Sequence, residues 1–294
     1  MWAIHSMKKS REIAMPALIA AFLCISLFGG NSVQAQTPFT AGQPQSTMVR
    51  QLWFGYLNGV EKMEGERWYF RYHAPEFIRW YGPWLRRYET FNAFDPPAEA
   101  MQRYGARPGK YTEMWWGSVN DYRDSRSGST RPYTPGTWKL STEVILTAMT
   151  MIPAYPTDIH TGEEVNLDMP VVRWMRVFRY PEGVSQEEGD KWYLSVYAEE
   201  AKKLPGLIWY VSYKTVDFRT PRPSGPYVKW HRVDEMWFPD MATWKKAALE
   251  GSVKFTAPSW AKDKQEPFVE MYSDLIRLKP DVDFLHDLPN MNLR

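Results

Sequence analysis

Cysteine is nearly absent: the 294 residues hold one, Cys24, inside an apolar run from Ile13 to Phe28 near the N-terminus. Disulfides, thiolate catalysis and cysteine-ligated zinc or iron–sulfur centres are therefore excluded for the chain beyond that run. Histidine is scarce as well. None of the five is spaced His-x-His or His-x₃-His, and His160 and His286 stand far from the others, so no metal site is expected. There is neither a glycine-rich phosphate loop nor a Gly-x-Ser-x-Gly elbow. One-signed charge is missing too. Setting aside residues 1–35 removes Lys8, Lys9, Arg11 and Glu12, which leaves 33 cations and 33 anions from 36 and 34. A nucleic-acid binder needs a basic surplus or stripe, so no nucleic-acid partner is expected.

The N-terminus carries the pattern of a secretory signal. Three cations precede the apolar run, and short side chains at Val33 and Ala35 stand before Gln36, as signal-peptidase cleavage requires. The run is shorter than a membrane-spanning helix needs. Bulky Leu23 before Cys24 argues against a lipid anchor. The expectation is a signal peptide over 1–35, a periplasmic or secreted mature chain and no stable membrane association after cleavage; a retained anchor is the alternative. Residues 36–47, mostly Gln, Thr, Pro, Gly and Ser, read as a flexible leader.

What is abundant is repetition. Gly65-Glu66-Arg67-Trp68-Tyr69 returns 124 residues later as Gly189-Asp190-Lys191-Trp192-Tyr193, and Glu113-Met114-Trp115 returns 122 later as Glu235-Met236-Trp237. Units of this length are small domains in their own right. Periodicity assigns to the first unit, 48–150, a strand over 50–58, a helix over 61–81, strands over 84–94 and 111–116, a short helix from 119 and a closing strand over 138–146. The second unit, 169–280, repeats the order: strand 171–180, helix 185–204, strands 207–218 and 227–237, helix 242–250 and strand 272–278. Residues 151–168 read as a connector and 281–294 as a tail. The expected fold class is α+β: two tandem ferredoxin-like βαββαβ units whose apolar sheet faces pack together as a fused α+β barrel.

Aromatic residues make up 16% of the chain, more than a core of ordinary composition needs, and Trp and Tyr seek a polar partner for one end. The segment Trp68-Tyr69-Phe70-Arg71-Tyr72-His73-Ala74-Pro75-Glu76, followed by Gly82-Pro83-Trp84-Leu85-Arg86-Arg87-Tyr88, resembles the EthD-like branch of the dimeric α+β barrel superfamily. The second unit keeps the turn as Leu204-Pro205-Gly206-Leu207 but has Tyr197-Ala198-Glu199 in place of His73-Ala74-Pro75. The resemblance implies a ligand cavity between sheet and helices. It implies either cofactor-independent isomerase, lyase or related chemistry on aromatic compounds, or haem-dependent chemistry with His73 or His231 as axial ligand. A non-catalytic binder of an aromatic molecule is a third class.

His73 is the leading catalytic candidate, because imidazole exchanges protons near neutrality and the second unit discards it at Tyr197. Tyr69 and Glu76 share its helix face and could orient it. Glu76 also has a bland explanation, since its counterpart Glu200 persists beside no histidine. Pro75 cannot donate to the carbonyl of Arg71, which loosens the helix there. Glu113 and Glu235 read as a raised-pKa acid or base if unpaired, or more readily as partners of nearby arginines such as Arg86 or Arg87. Trp53, Tyr56, Tyr88, Trp174, Trp209, Tyr213 and His231 fall on strands expected to line the barrel, where with Tyr197 they could grip a flat ligand. No cofactor is expected for the leading reading, the partner is a small aromatic molecule, and homo-oligomerisation stays open.

Overall fold

The computed structural model describes residues 48–56, 62–127, 132–136, 148–162, 170–216, 228–251, 253–262 and 266–287. The first unit begins with β1 (Val49–Tyr56), an alternating strand. A helix follows in three parts: α1 (Lys62–Trp68), a π-helical turn (Tyr69–His73) and α2 (Ala74–Tyr81). Then come β2 (Leu85–Asn92), α3 (Ala98–Tyr104), β3 (Lys110–Trp116), α4 (Val119–Arg126) and β4 (Ala148–Pro153). Ser118 caps α4 by accepting from the Asp121 amide.

A short strand, β5 (Asp158–Gly162), leads into the second unit. That unit holds β6 (Val172–Arg179), α5 (Gln186–Trp192), a second π-helical turn (Tyr193–Tyr197), α6 (Ala198–Ala201), β7 (Trp209–Lys214), β8 (Arg232–Phe238), α7 (Met241–Ala248) and β9 (Glu270–Arg277). Two residues, β10 (Val282–Asp283), end the regular structure described.

All named strand pairs are antiparallel, in two five-stranded sheets ordered β10-β2-β3-β1-β4 and β5-β7-β8-β6-β9. Each sheet is thus the four-stranded order of a ferredoxin-like unit plus one edge strand, β5 from the segment between the units and β10 from beyond β9. β5 follows β4 yet pairs with β7, and β10 follows β9 yet pairs with β2. Both connections cover a sheet edge that would otherwise be open.

Alternation then separates two faces. Trp68, Tyr69, Phe77, Tyr88, Met114 and Trp116 form a core between helices and the first sheet, and Trp174, Tyr193, Tyr210, Met236 and Trp244 form its counterpart on the second. Leu52, Phe54 and Tyr111 from one sheet meet Met175, Val177, Val233 and Ile276 from the other in a third core. The chain is therefore an α+β protein of two ferredoxin-like units packed sheet against sheet.

Three boundaries differ from the sequence reading. The expected fourth strand over 138–146 lies outside the described residues, and the observed fourth strand is β4. The expected connector contains the end of β4 and all of β5, and the expected tail contains β10, because edge pairing with the other unit overrides their loop-like composition. α3 was not legible, being a single short helix behind Pro96-Pro97. Among the described residues no helix is long and apolar enough to cross a membrane.

Candidate active site

The repeated motif performs the same tasks in both units, at the layer between helix and sheet. Gly189 lets α5 approach a ring; a Cβ there would lie 2.2 Å from Tyr180. Glu66 pairs with buried Lys110 at 3.0 Å, as Asp190 pairs with Arg232 at 3.4 Å. The Trp68 indole donates to the Thr134 carbonyl at 2.8 Å, and that of Trp192 to the Thr256 carbonyl at 3.1 Å. Tyr69 donates to the Tyr88 hydroxyl at 2.8 Å, and the Tyr193 and Tyr210 hydroxyls share a hydrogen bond of 2.6 Å.

Glu76 completes the clamp on Thr134. Its carboxylate accepts from the Thr134 amide at 2.8 Å and from the Thr134 hydroxyl. Glu200 treats Thr256 in the same way, with amide and hydroxyl at 2.7 and 2.5 Å. Glu76 thus holds a loop segment, and the repeat shows why it persists.

The layers diverge at His73. Its half-buried ring stacks on Trp68 at 4.7 Å and lies 4.9 Å from Tyr133, with Tyr69 at 5.5 Å and Phe77 at 6.2 Å. Burial pushes its pKa down to about 3, so the imidazole is neutral across the physiological range. In the second unit Tyr197 takes this place, stacked 4.7 Å from Phe255, but its hydroxyl accepts from Arg176 at 2.8 Å. Arg176 in turn pairs with the fully buried Asp234, which also accepts from Tyr193 at 2.5 Å. That layer is closed by an ion pair, and the void left beside it is only about 10 Å³.

The first unit has no such pair at the corresponding places, where Trp53 and Thr112 stand opposite each other on β1 and β3. Here the buried Trp53 Nε1, Thr90 Oγ1 and Gln51 Oε1 have no hydrogen-bond partner among the described residues. The two layers share a frame, and only the first lacks the charge pair that fills it.

The π-helical turn carries His73 and ends with the Ala74 amide donating to the Tyr69 carbonyl, five residues back. Pro75 is not its cause. The second unit has the same turn, from the Ala198 amide to the Tyr193 carbonyl, with Glu199 where Pro75 stands.

The remaining candidates separate by strand parity. Tyr88, Trp53 and Trp174 face the helices, with Tyr197; Trp209 and Tyr213 face the other sheet. Tyr56 is paired with Lys110 at the end of β1. His231 is tied down: its Nδ1 accepts from the Tyr180 amide at 2.9 Å, its ring stacks on Tyr180 at 5.1 Å, and burial lowers its pKa to about 4.

Between the sheets, Glu113 accepts from Arg50 at 2.7 Å, Arg173 at 3.0 Å and Tyr111 at 3.1 Å. Glu235 accepts from Arg173 at 2.9 Å and from the Trp237 indole at 2.8 Å. The arginines are those of β1 and β6, not Arg86 or Arg87, and they join the two units. Arg50 and Arg173 were missed although they stand 123 residues apart, as were Thr134 and Thr256 at 122. Aligning the whole repeat, not only its motif, would have revealed both sets.

Residues 52–135 match the family of the chalcone isomerase N-terminal domain. No curated protein matches the chain. Among solved structures the chain is similar to an anthrone oxidase-like protein, at 13% identity and a TM-score of 0.45, with 80% of this chain and 92% of that one covered. It is also similar to an EthD family protein of Bacillus halodurans (22%, TM-score 0.21, 26% and 70% covered). A third is a mutant chlorite dismutase of Candidatus Nitrospira defluvii in complex with cyanide (9%, 0.37, 80% and 93%). The fold assignment rests on the sheet order and packing described above.

Proposed function

We propose that this chain is an exported enzyme that carries out cofactor-independent acid–base chemistry, of isomerase or lyase type, on a small aromatic compound at the helix–sheet layer of the first unit. The observation that carries the reading is the neutral His73, set in a ring stack where the second unit has a tyrosine locked onto an ion pair. The span that matches the chalcone isomerase N-terminal domain includes His73, which favours a polyphenol of chalcone type over other aromatics.

In this reading a flat ring is held by aromatic side chains of the layer, and the buried donor and acceptor of Trp53 and Gln51 orient its polar groups. The neutral imidazole relays a proton within the substrate, accepting it from an acidic O–H as the bond rearranges and returning it to the rearranged product, so an isomerisation needs no outside reagent.

The test is turnover of a chalcone panel, followed by loss of enone absorbance. His73→Asn is expected to keep its circular dichroism and thermal unfolding while turnover falls by about 10²–10⁴-fold. Undiminished turnover in the folded variant rejects the role of His73. A Soret band in the purified wild-type protein would replace the cofactor-free reading with the haem-dependent one.

A further inference from the structure

On the opposite face of the first sheet from His73, the two sheets diverge around a cleft of about 510 Å³, within the range of small-molecule sites. Exposed Tyr155 and the half-exposed side chain of Arg87 mark its mouth. Its floor is the four-membered ring of Arg50, Glu113, Arg173 and Glu235.

Its walls are built from the same repeat positions but carry different chemistry. Across the first sheet one row reads Arg50, Trp115, Arg87; across the second it reads Arg173, Trp237, Trp209. In the next row Glu89 opposes Glu113 where Val211 opposes Glu235. One wall is therefore charged and the other aromatic. Trp115 lies between two guanidiniums, 5.0 Å from Arg50 and 5.2 Å from Arg87.

The polar wall is short of acceptors. The Trp237 indole donates to Glu235 at 2.8 Å, but the buried Trp115 Nε1 has no partner among the described residues. Neither has the Nε of Arg50, a residue 4% exposed. Glu113 is already taken by Arg50, Arg173 and Tyr111, and Glu89 by Arg87 at 3.3 Å. Two unpaired buried donors set among the guanidiniums of Arg50, Arg87 and Arg173 call for a charged acceptor, and the facing tryptophans call for a flat ring.

We infer that the cleft between the sheets is a second binding site, for a small aromatic carboxylate whose ring lies on Trp209 and Trp237 and whose carboxylate accepts from Trp115 and Arg50. This site is independent of the proposed chemistry at His73.

The probe is 2-naphthoate, with neutral 2-naphthamide as its comparator, titrated into the full chain by calorimetry and tryptophan fluorescence. Naphthoate should bind at least about tenfold more tightly than the amide, a difference of one charge-assisted hydrogen bond. Trp115→Phe keeps the ring but removes the donor, and should weaken naphthoate about tenfold and the amide by less, because a charged acceptor makes the stronger bond. Arg87→Gln, a change at the exposed mouth that does not threaten folding, should weaken naphthoate several-fold. His73→Asn should leave naphthoate binding as it is. Failure of naphthoate to bind, equal binding of the amide, or indifference to both Trp115→Phe and Arg87→Gln overturns the inference. So does loss of binding in His73→Asn alone, which would place the ligand in the helix–sheet layer instead.

Discussion

Glu113 shows how position governs a side chain. Burial alone would raise its pKa, but the guanidiniums of Arg50 and Arg173 and the Tyr111 hydroxyl hold it at about 2. A carboxylate depressed in the folded state adds stability that is complete above its ordinary pKa, near 4.5, and is lost as the pH falls toward 2. Glu113→Gln should therefore flatten the acid limb of an unfolding curve between pH 5 and pH 2. It should also cost about 3–5 kcal/mol at neutral pH, because two buried arginines lose a charge partner. Chemical denaturation at a series of pH values measures both.

Asp274 has the opposite sign. Fully buried, with one oxygen accepting from the Gly55 amide at 3.2 Å across the two units, it is raised to about 8 by burial. Its favourable contribution is complete below its ordinary pKa, near 3.8, and disappears as the pH rises through 8. Asp274→Asn keeps an acceptor for Gly55 without the charge. The variant should have a Tm several degrees above wild type at pH 8 and little changed at pH 4, read by calorimetry; an unchanged Tm at pH 8 would refute the raised pKa.

At the scale of elements, the two three-part helices are fixed by what they hold. Trp68 and Glu76, and likewise Trp192 and Glu200, grip a threonine from a loop about 60 residues further on. Glu76→Ala and Glu200→Ala should each lower stability by about 1–3 kcal/mol, through loss of a charged acceptor to an amide and a hydroxyl. Similar losses in both would mark Glu76 as structural, whereas a fall in turnover confined to Glu76→Ala without loss of stability would return it to the chemistry. Composition and spacing made these two helices and most strands legible, because apolar periodicity is local. The π-helical turns were not: they depend on which carbonyl an amide reaches, and both units form one whether Pro75 or Glu199 follows.

For the whole molecule, the strand β10 lent to the first sheet and the ring of Arg50, Glu113, Arg173 and Glu235 tie the two units together. Residues 48–153 expressed alone would uncover the face of Leu52, Phe54 and Tyr111 and leave β2 an open edge. This half should aggregate or dimerise in size-exclusion chromatography; a soluble monomer with cooperative unfolding would contradict the interdependence.

The sequence by itself determined the duplication, the βαββαβ order and the asymmetry between His73 and Tyr197, because each is written in residue identity and short-range period. Which sheet face each aromatic occupies was decided only by the tertiary structure, since strand parity has no absolute sign until the sheets pack. The same holds for the partners of Glu113 and Glu235. Arg50 and Arg173 each reach the glutamate of the neighbouring strand in their own sheet, and Arg173 also crosses to Glu113 of the other sheet; these residues stand about 60 apart in sequence, a contact no local pattern encodes.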